Sequence, residues 1–123
     1  MSDRSRRSEV AAYITKDGSE IRELLHPSTH AVRNQSLAEA VIPPGTTTLL
    51  HRHRQSEEIY HVTQGHGVMT LNDTQFIIEA GDSILIAPGT ADCVCNDGDA
   101  PMHILCCCAP AYAHEDTELL YAG

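Results

Sequence analysis

From Ile21 onward, short alternating runs of apolar and polar residues are closed every few positions by turn formers. Ile21 to Leu25, Leu37 to Ile42, Thr46 to Arg54, Glu58 to Gln64 and Val68 to Leu71 each read as a strand. So do Thr74 to Glu79, Ser83 to Ala87, Asp92 to Asn96 and Met102 to Ala109. Between them stand His26-Pro27, Pro43-Pro44-Gly45, Gly65-His66-Gly67, Asn72-Asp73, Ala80-Gly81-Asp82, Pro88-Gly89 and Asn96-Asp97-Gly98-Asp99, and an Asp17-Gly18-Ser19 turn precedes the first strand. Helical periodicity is weak throughout. Strands at such close spacing predict an all-β, antiparallel barrel or sandwich. Residues 1–15 read as a flexible N-terminal segment, 16–110 as the barrel domain, and 111–123 as an acidic tail with one helical turn around Glu115 to Leu119.

One stretch carries more chemistry than a strand needs: His51-Arg52-His53-Arg54-Gln55-Ser56-Glu57-Glu58. Strand side chains alternate between faces, so His51 and His53 share one side while Arg52 and Arg54 share the other. Glu58 opens the next strand after a short turn and is placed to lie across from His53. Imidazoles and a carboxylate converging on one side of a sheet supply the donor set of a transition-metal site.

The spacing of these residues resembles the cupin superfamily. Gly45, five residues, His51-x-His53, four residues, Glu58, six residues and Gly65 match its first motif at every position. Gly81, Pro88-Gly89 preceded by Ala87, Asp92 and Asn96 keep the spacing of its second motif. Two positions depart: Ala87 stands where that motif has Pro, and Asp92 where it has a histidine ligand. The resemblance implies a single-domain jelly-roll β-barrel, a homodimer, with a divalent metal in its mouth held by His51, His53, Glu58 and Asp92. Two nitrogens and two oxygens form a harder set than three histidines and a glutamate, which favours iron(II) or manganese(II) and leaves zinc and nickel open. Asp92 is shorter than histidine, so it is read as a ligand, as a group holding a metal-bound water or acting as general base, or as neither.

Glu58, Asp92 and Tyr60 are the candidates to move protons. Tyr60 and Gln64 alternate with Glu58 and are expected to face the interior with it, and Asn96 shares the face of Asp92. His103 is assigned equally to the interior and to the surface, and His61 to the exterior. The expected ligand is a small polar molecule such as a sugar, sugar acid or keto acid, undergoing isomerase, lyase or dioxygenase chemistry. The alternative is a small-ligand-binding module or sensor without catalysis.

Composition limits the rest. Only 4% of the 123 residues are aromatic, so aliphatic side chains must fill the core. A formal charge of −9 argues against a nucleic-acid partner, which needs clustered Lys and Arg. No apolar run approaches the roughly 20 residues that span a bilayer, and the basic start lacks the apolar stretch of a secretion signal. A cytoplasmic location is therefore expected. Five cysteines are an odd count and lack the spacing of a zinc knuckle. They read as buried small hydrophobes, with one or two facing the barrel interior and touching the metal or substrate as the sharper alternative; Cys106 and Cys107 would face opposite sides, and the sequence does not choose between them.

Overall fold

The computed structural model describes residues 2–120. Twelve strands occur in these residues: β1 (Tyr13–Ile14), β2 (Glu20–Leu25), β3 (Ser36–Ile42), β4 (Thr46–Thr47), β5 (His51–His53), β6 (Glu57–Gln64), β7 (His66–Leu71), β8 (Thr74–Glu79), β9 (Ser83–Ile86), β10 (Asp92–Asn96), β11 (Met102–Ala109) and β12 (Thr117–Leu119). All named pairings are antiparallel. One sheet runs β1-β2-β3-β11-β6-β9; the other runs β12-β5-β10-β7-β8, with β4 also on β10. The two sheets close on each other as a jelly-roll barrel. Among the described residues no helix is long and apolar enough to cross a membrane.

The alternation read from the sequence becomes burial. Along β11, Met102, Ile104, Cys106 and Cys108 point inward and are buried, while His103, Leu105 and Cys107 point outward. Ile42, Val62, Met69, Ile78, Ile86 and Val94 join them in a mostly aliphatic core. Gly67 makes one of the tightest approaches: a Cβ there would overlap the Met102 Cε methyl and the Cys95 carbonyl oxygen. The sequence placed Gly67 in a turn; it lies in β7, where β10 passes too closely for any side chain.

Two strands were not anticipated. β1 pairs with β2, and β12 pairs with β5 through Thr117↔His53, Glu118↔Arg52 and Leu119↔His51. The helical turn expected around Glu115 to Leu119 is instead a 3-10 turn at His114–Asp116 running into β12. Ladder bonds to β5 and the pairing of Glu118 with Arg52 (3.0 Å) and Arg54 (2.9 Å) favour extended chain here over helix.

Candidate metal centre

β5 and β6 lie in different sheets, so Glu58 meets His53 across the barrel interior and not beside it on one face, as the sequence suggested. Glu58 Oε1 is 3.2 Å from His53 Nε2. On the other side of β5, the register Asp92↔His51 puts Asp92 Oδ1 3.5 Å from His51 Nε2. The two imidazoles stand edge to face, 5.4 Å between centroids. All four side chains are buried, Asp92 completely.

The outer nitrogens fix how the rings are used. His51 Nδ1 is 2.8 Å from the Leu49 carbonyl oxygen, an acceptor only, so this nitrogen carries the proton and donates. Thr117 Oγ1 donates to the Ala113 carbonyl (3.2 Å), which leaves it to accept from His53 Nδ1 at 3.1 Å. In both neutral rings the Nε2 lone pair therefore faces a carboxylate. Glu58 Oε1 and both Asp92 oxygens are buried without a hydrogen-bond partner. Lone pairs on nitrogen and oxygen turned toward each other in a buried space repel unless a cation lies between them.

Without a metal, His53 and Asp92 each hold a proton more tightly than they would in water. Burial draws His53 toward its neutral form, but the hydrogen bond and charge of Glu58, helped by Asp92 and Asp116, outweigh it and raise the imidazole above its usual range. Asp92 is pushed up to about 7, first by burial and further by Glu58 and Asp17, against the opposing pull of His51 and His53. Among the described residues no three His, Cys, Asp or Glu side chains converge closely enough to hold an ion as they stand. The two pairs have suitable spacing nonetheless: donors each about 2.1 Å from one ion lie roughly 3.0 to 3.5 Å apart. The donor set, the tautomers and the orphaned oxygens fit a divalent ion.

The site opens on a cavity of about 50 Å³, measured by the space open to the centre of a water molecule, and so has room for more than one water. His51, His53, Glu58, Tyr60, Cys106 and Cys108 are among its lining residues. Asp92 is not, being completely buried off the cavity wall beside His51. Burial, with Glu58 and Asp92 nearby, raises the Tyr60 hydroxyl well above its usual range and keeps it protonated. Two of the expected pocket residues, Gln64 and Asn96, do not reach the site, whereas His61 lies outside as expected and His103, left open by the sequence, does too. Gln64 is exposed, because a register shift between His103 and Ile104 ends the alternation of β6. Asn96 is buried, but its amide donates to the Ile42 and Ala100 carbonyls (2.9 and 2.8 Å) and serves a turn. His103 stands outward, 3.7 Å from Glu39, and His61 bonds Ser83 outside the barrel.

Four contributors had no clear signal in the sequence. Asp17 was legible only as a turn residue, yet its Oδ2 lies 3.7 Å from His51 Nε2. Glu23 and Tyr112 line the cavity, and Thr117 orients His53 from β12.

Residues 38–108 match the family model described as the cupin domain. An uncharacterized protein of Methanocaldococcus jannaschii is 53% identical over 112 residues, covering 91% of this chain and 90% of that protein. Among solved structures, a predicted oxalate decarboxylase from Thermotoga maritima aligns with a TM-score of 0.75 and 27% identity, over 85% of this chain and 96% of the other. The polyketide cyclase RemF from Streptomyces resistomycificus aligns with a TM-score of 0.83 and 19% identity, over all of this chain and 88% of its own, a likeness of fold alone.

Proposed function

This chain belongs to the cupin family, and on that premise we propose that it binds a divalent metal through His51, His53, Glu58 and Asp92 and acts as an enzyme on a small polar molecule. The observation that carries the proposal is the pair of Nε2 lone pairs facing carboxylate oxygens that have no other partner. Iron(II) or manganese(II) suits two nitrogens and two oxygens, with zinc(II) and nickel(II) as the next candidates. Bound there, the ion would polarise an oxygen of the substrate, or with iron support dioxygenase chemistry.

The remaining work falls to side chains on the cavity wall. With Oε1 turned to His53 and the ion, the second oxygen of Glu58 is left for the cavity and can take a proton from a substrate hydroxyl or an adjacent carbon. Tyr60, held protonated, can donate to an oxygen developing negative charge. Asp92, off the wall, is assigned to holding the ion and balancing its charge; acting as a base would require it to reach past His51. Isomerisation or elimination of a sugar or sugar acid, or a reaction of a keto acid, fits these parts. A cytoplasmic homodimer is proposed with it.

The test is metal content by elemental mass spectrometry, on protein purified without tag or chelator, beside His51→Ala and Asp92→Ala. Near-stoichiometric metal lost in both variants supports the four-ligand site. No metal, even after reconstitution with iron(II), manganese(II), nickel(II) or zinc(II), refutes it. A second reading, a binding module without catalysis, is favoured by the complete burial of Asp92 away from the cavity wall. Metal present with no turnover of any sugar or small acid would select it.

A further inference from the structure

Three carboxylates line the cavity and a fourth, Asp92, lies off its wall; two of the three, Asp17 and Glu23, come from the N-terminal hairpin and not from the motif positions. Asp17 sits in the β1–β2 turn, which Gly18 closes at φ 91°, a conformation that disfavours any residue with a Cβ. Its Oδ1 is occupied by the Thr15 hydroxyl (2.6 Å), the Ser19 amide (2.9 Å) and the Ser19 hydroxyl (2.6 Å). Its Oδ2 is left to face the site. On β2, Glu23 Oε1 accepts from the Tyr13 hydroxyl (2.8 Å), while its Oε2 is buried without a partner. Both residues line the same cavity as Glu58, itself 6% exposed with one orphaned oxygen.

No Lys or Arg is among the residues lining that cavity. Lys16, beside Asp17 in the chain, is engaged with the Thr117 and His114 carbonyls (2.8 and 3.4 Å). With Asp92 off the wall, the four acids carry at most a formal −4, since burial draws Glu23 toward its neutral form, and a divalent ion brings this to −2 at most. An entering carboxylate would meet charge of its own sign in a low-dielectric space, with no guanidinium or ammonium to receive it. A hydroxyl, by contrast, finds free acceptors in Asp17 Oδ2 and Glu23 Oε2, and Ile21, Ile42, Val94 and Ile104 can cover an apolar remainder.

Resting on the metal-binding proposal above, we infer that the cavity takes an uncharged small molecule bearing a hydroxyl beside a carbonyl or second hydroxyl, and excludes small carboxylates. Asp17 and Glu23 set that preference. It narrows the substrate class from sugars and acids to neutral hydroxy-carbonyl or diol compounds, away from the oxalate chemistry named for the Thermotoga maritima neighbour.

Hydroxyacetone and pyruvate test this, being nearly equal in size and differing in charge. Each would be titrated calorimetrically into protein whose metal content has first been measured, with Asp17→Asn and Glu23→Gln alongside. Both substitutions keep an acceptor oxygen for the existing turn or tyrosine hydrogen bond, and thermal melts check that each variant folds. The wild type should bind hydroxyacetone at least about tenfold more tightly than pyruvate, and each variant should narrow that gap several-fold by gaining pyruvate affinity. Tighter pyruvate binding by metal-loaded wild type, an unchanged preference in both variants, or no binding of either probe to metal-loaded protein overturns the inference while leaving the metal site standing. Protein that cannot be loaded with metal overturns both.

Discussion

Replacing Asp92 with asparagine in protein stripped of metal should change how stability depends on pH. The carboxyl is fully buried, its oxygens have no hydrogen-bond partner, and burial pushes it up to about 7 from an ordinary 3.8. A folded-state value above the unfolded one means that the folded chain holds the proton more tightly. The resulting stability is fully present below about pH 4 and lost as pH rises through 7. The gap of about three units, at about 1.4 kcal/mol each, amounts to roughly 4 kcal/mol. About 2.5 kcal/mol of this falls between pH 5 and pH 8, because the unfolded carboxyl is already ionised at pH 5. Urea denaturation of both proteins in chelator, at those two pH values, measures it. With an m-value of about 1.3 kcal/mol/M, the wild-type midpoint should fall about 2 M relative to the variant. Divalent metal at 100 times its Kd should then return about 2.7 kcal/mol to the wild type at pH 8, and much less to the variant. Parallel behaviour of the two proteins from pH 5 to pH 8 would refute the buried, unpaired carboxylate. Equal rescue by metal would remove Asp92 from the ion's environment.

Thr117→Val removes the acceptor that orients His53 and should weaken metal binding about 10- to 100-fold in a competition titration, with the fold intact by circular dichroism. Gly67→Ala forces a Cβ against the Cys95 carbonyl and should cost at least about 1 to 3 kcal/mol by urea unfolding; an unchanged midpoint would show that β7 and β10 can separate. Burial pushes the Cys108 thiol up to about 12 and Cys106 well above its usual range. Neither should react with a thiol reagent at pH 8 until denaturant is added, and mass spectrometry of the labelled peptides reads this directly.

Much of the barrel was legible because period-two alternation bounded by turn residues survives in most strands longer than three residues, β2 and the middle of β3 excepted. β11 shows it most clearly, with even positions buried and odd positions turned out. β1 and β12 escaped because two or three residues cannot display a period. The assignment of strands to sheets was not legible either. His53 and Glu58 belong together in the sequence motif, yet their contact is made across the barrel, between strands that never pair. Gln64 shows the limit of alternation, since one register shift carried it to the surface. Asp17 could be read as a turn former, but where that turn folds is set by contacts such as the hydrogen bond from the Leu49 amide to its carbonyl. Local sequence does not encode such a contact.

The Thr117 support for His53 spans 64 positions of chain, and β12 follows every other strand in the order of synthesis. β5 has β10 on one side and β12 on the other, so its cradle is half built until β12 arrives. Contacts this distant in sequence form late, after their loop-closure cost has been met by the rest of the sheet. Until β12 docks, His53 lacks the hydroxyl that fixes its tautomer, although its own strand comes much earlier in the chain. The orientation of His53 is therefore settled by the last of the described strands, far from it in the chain.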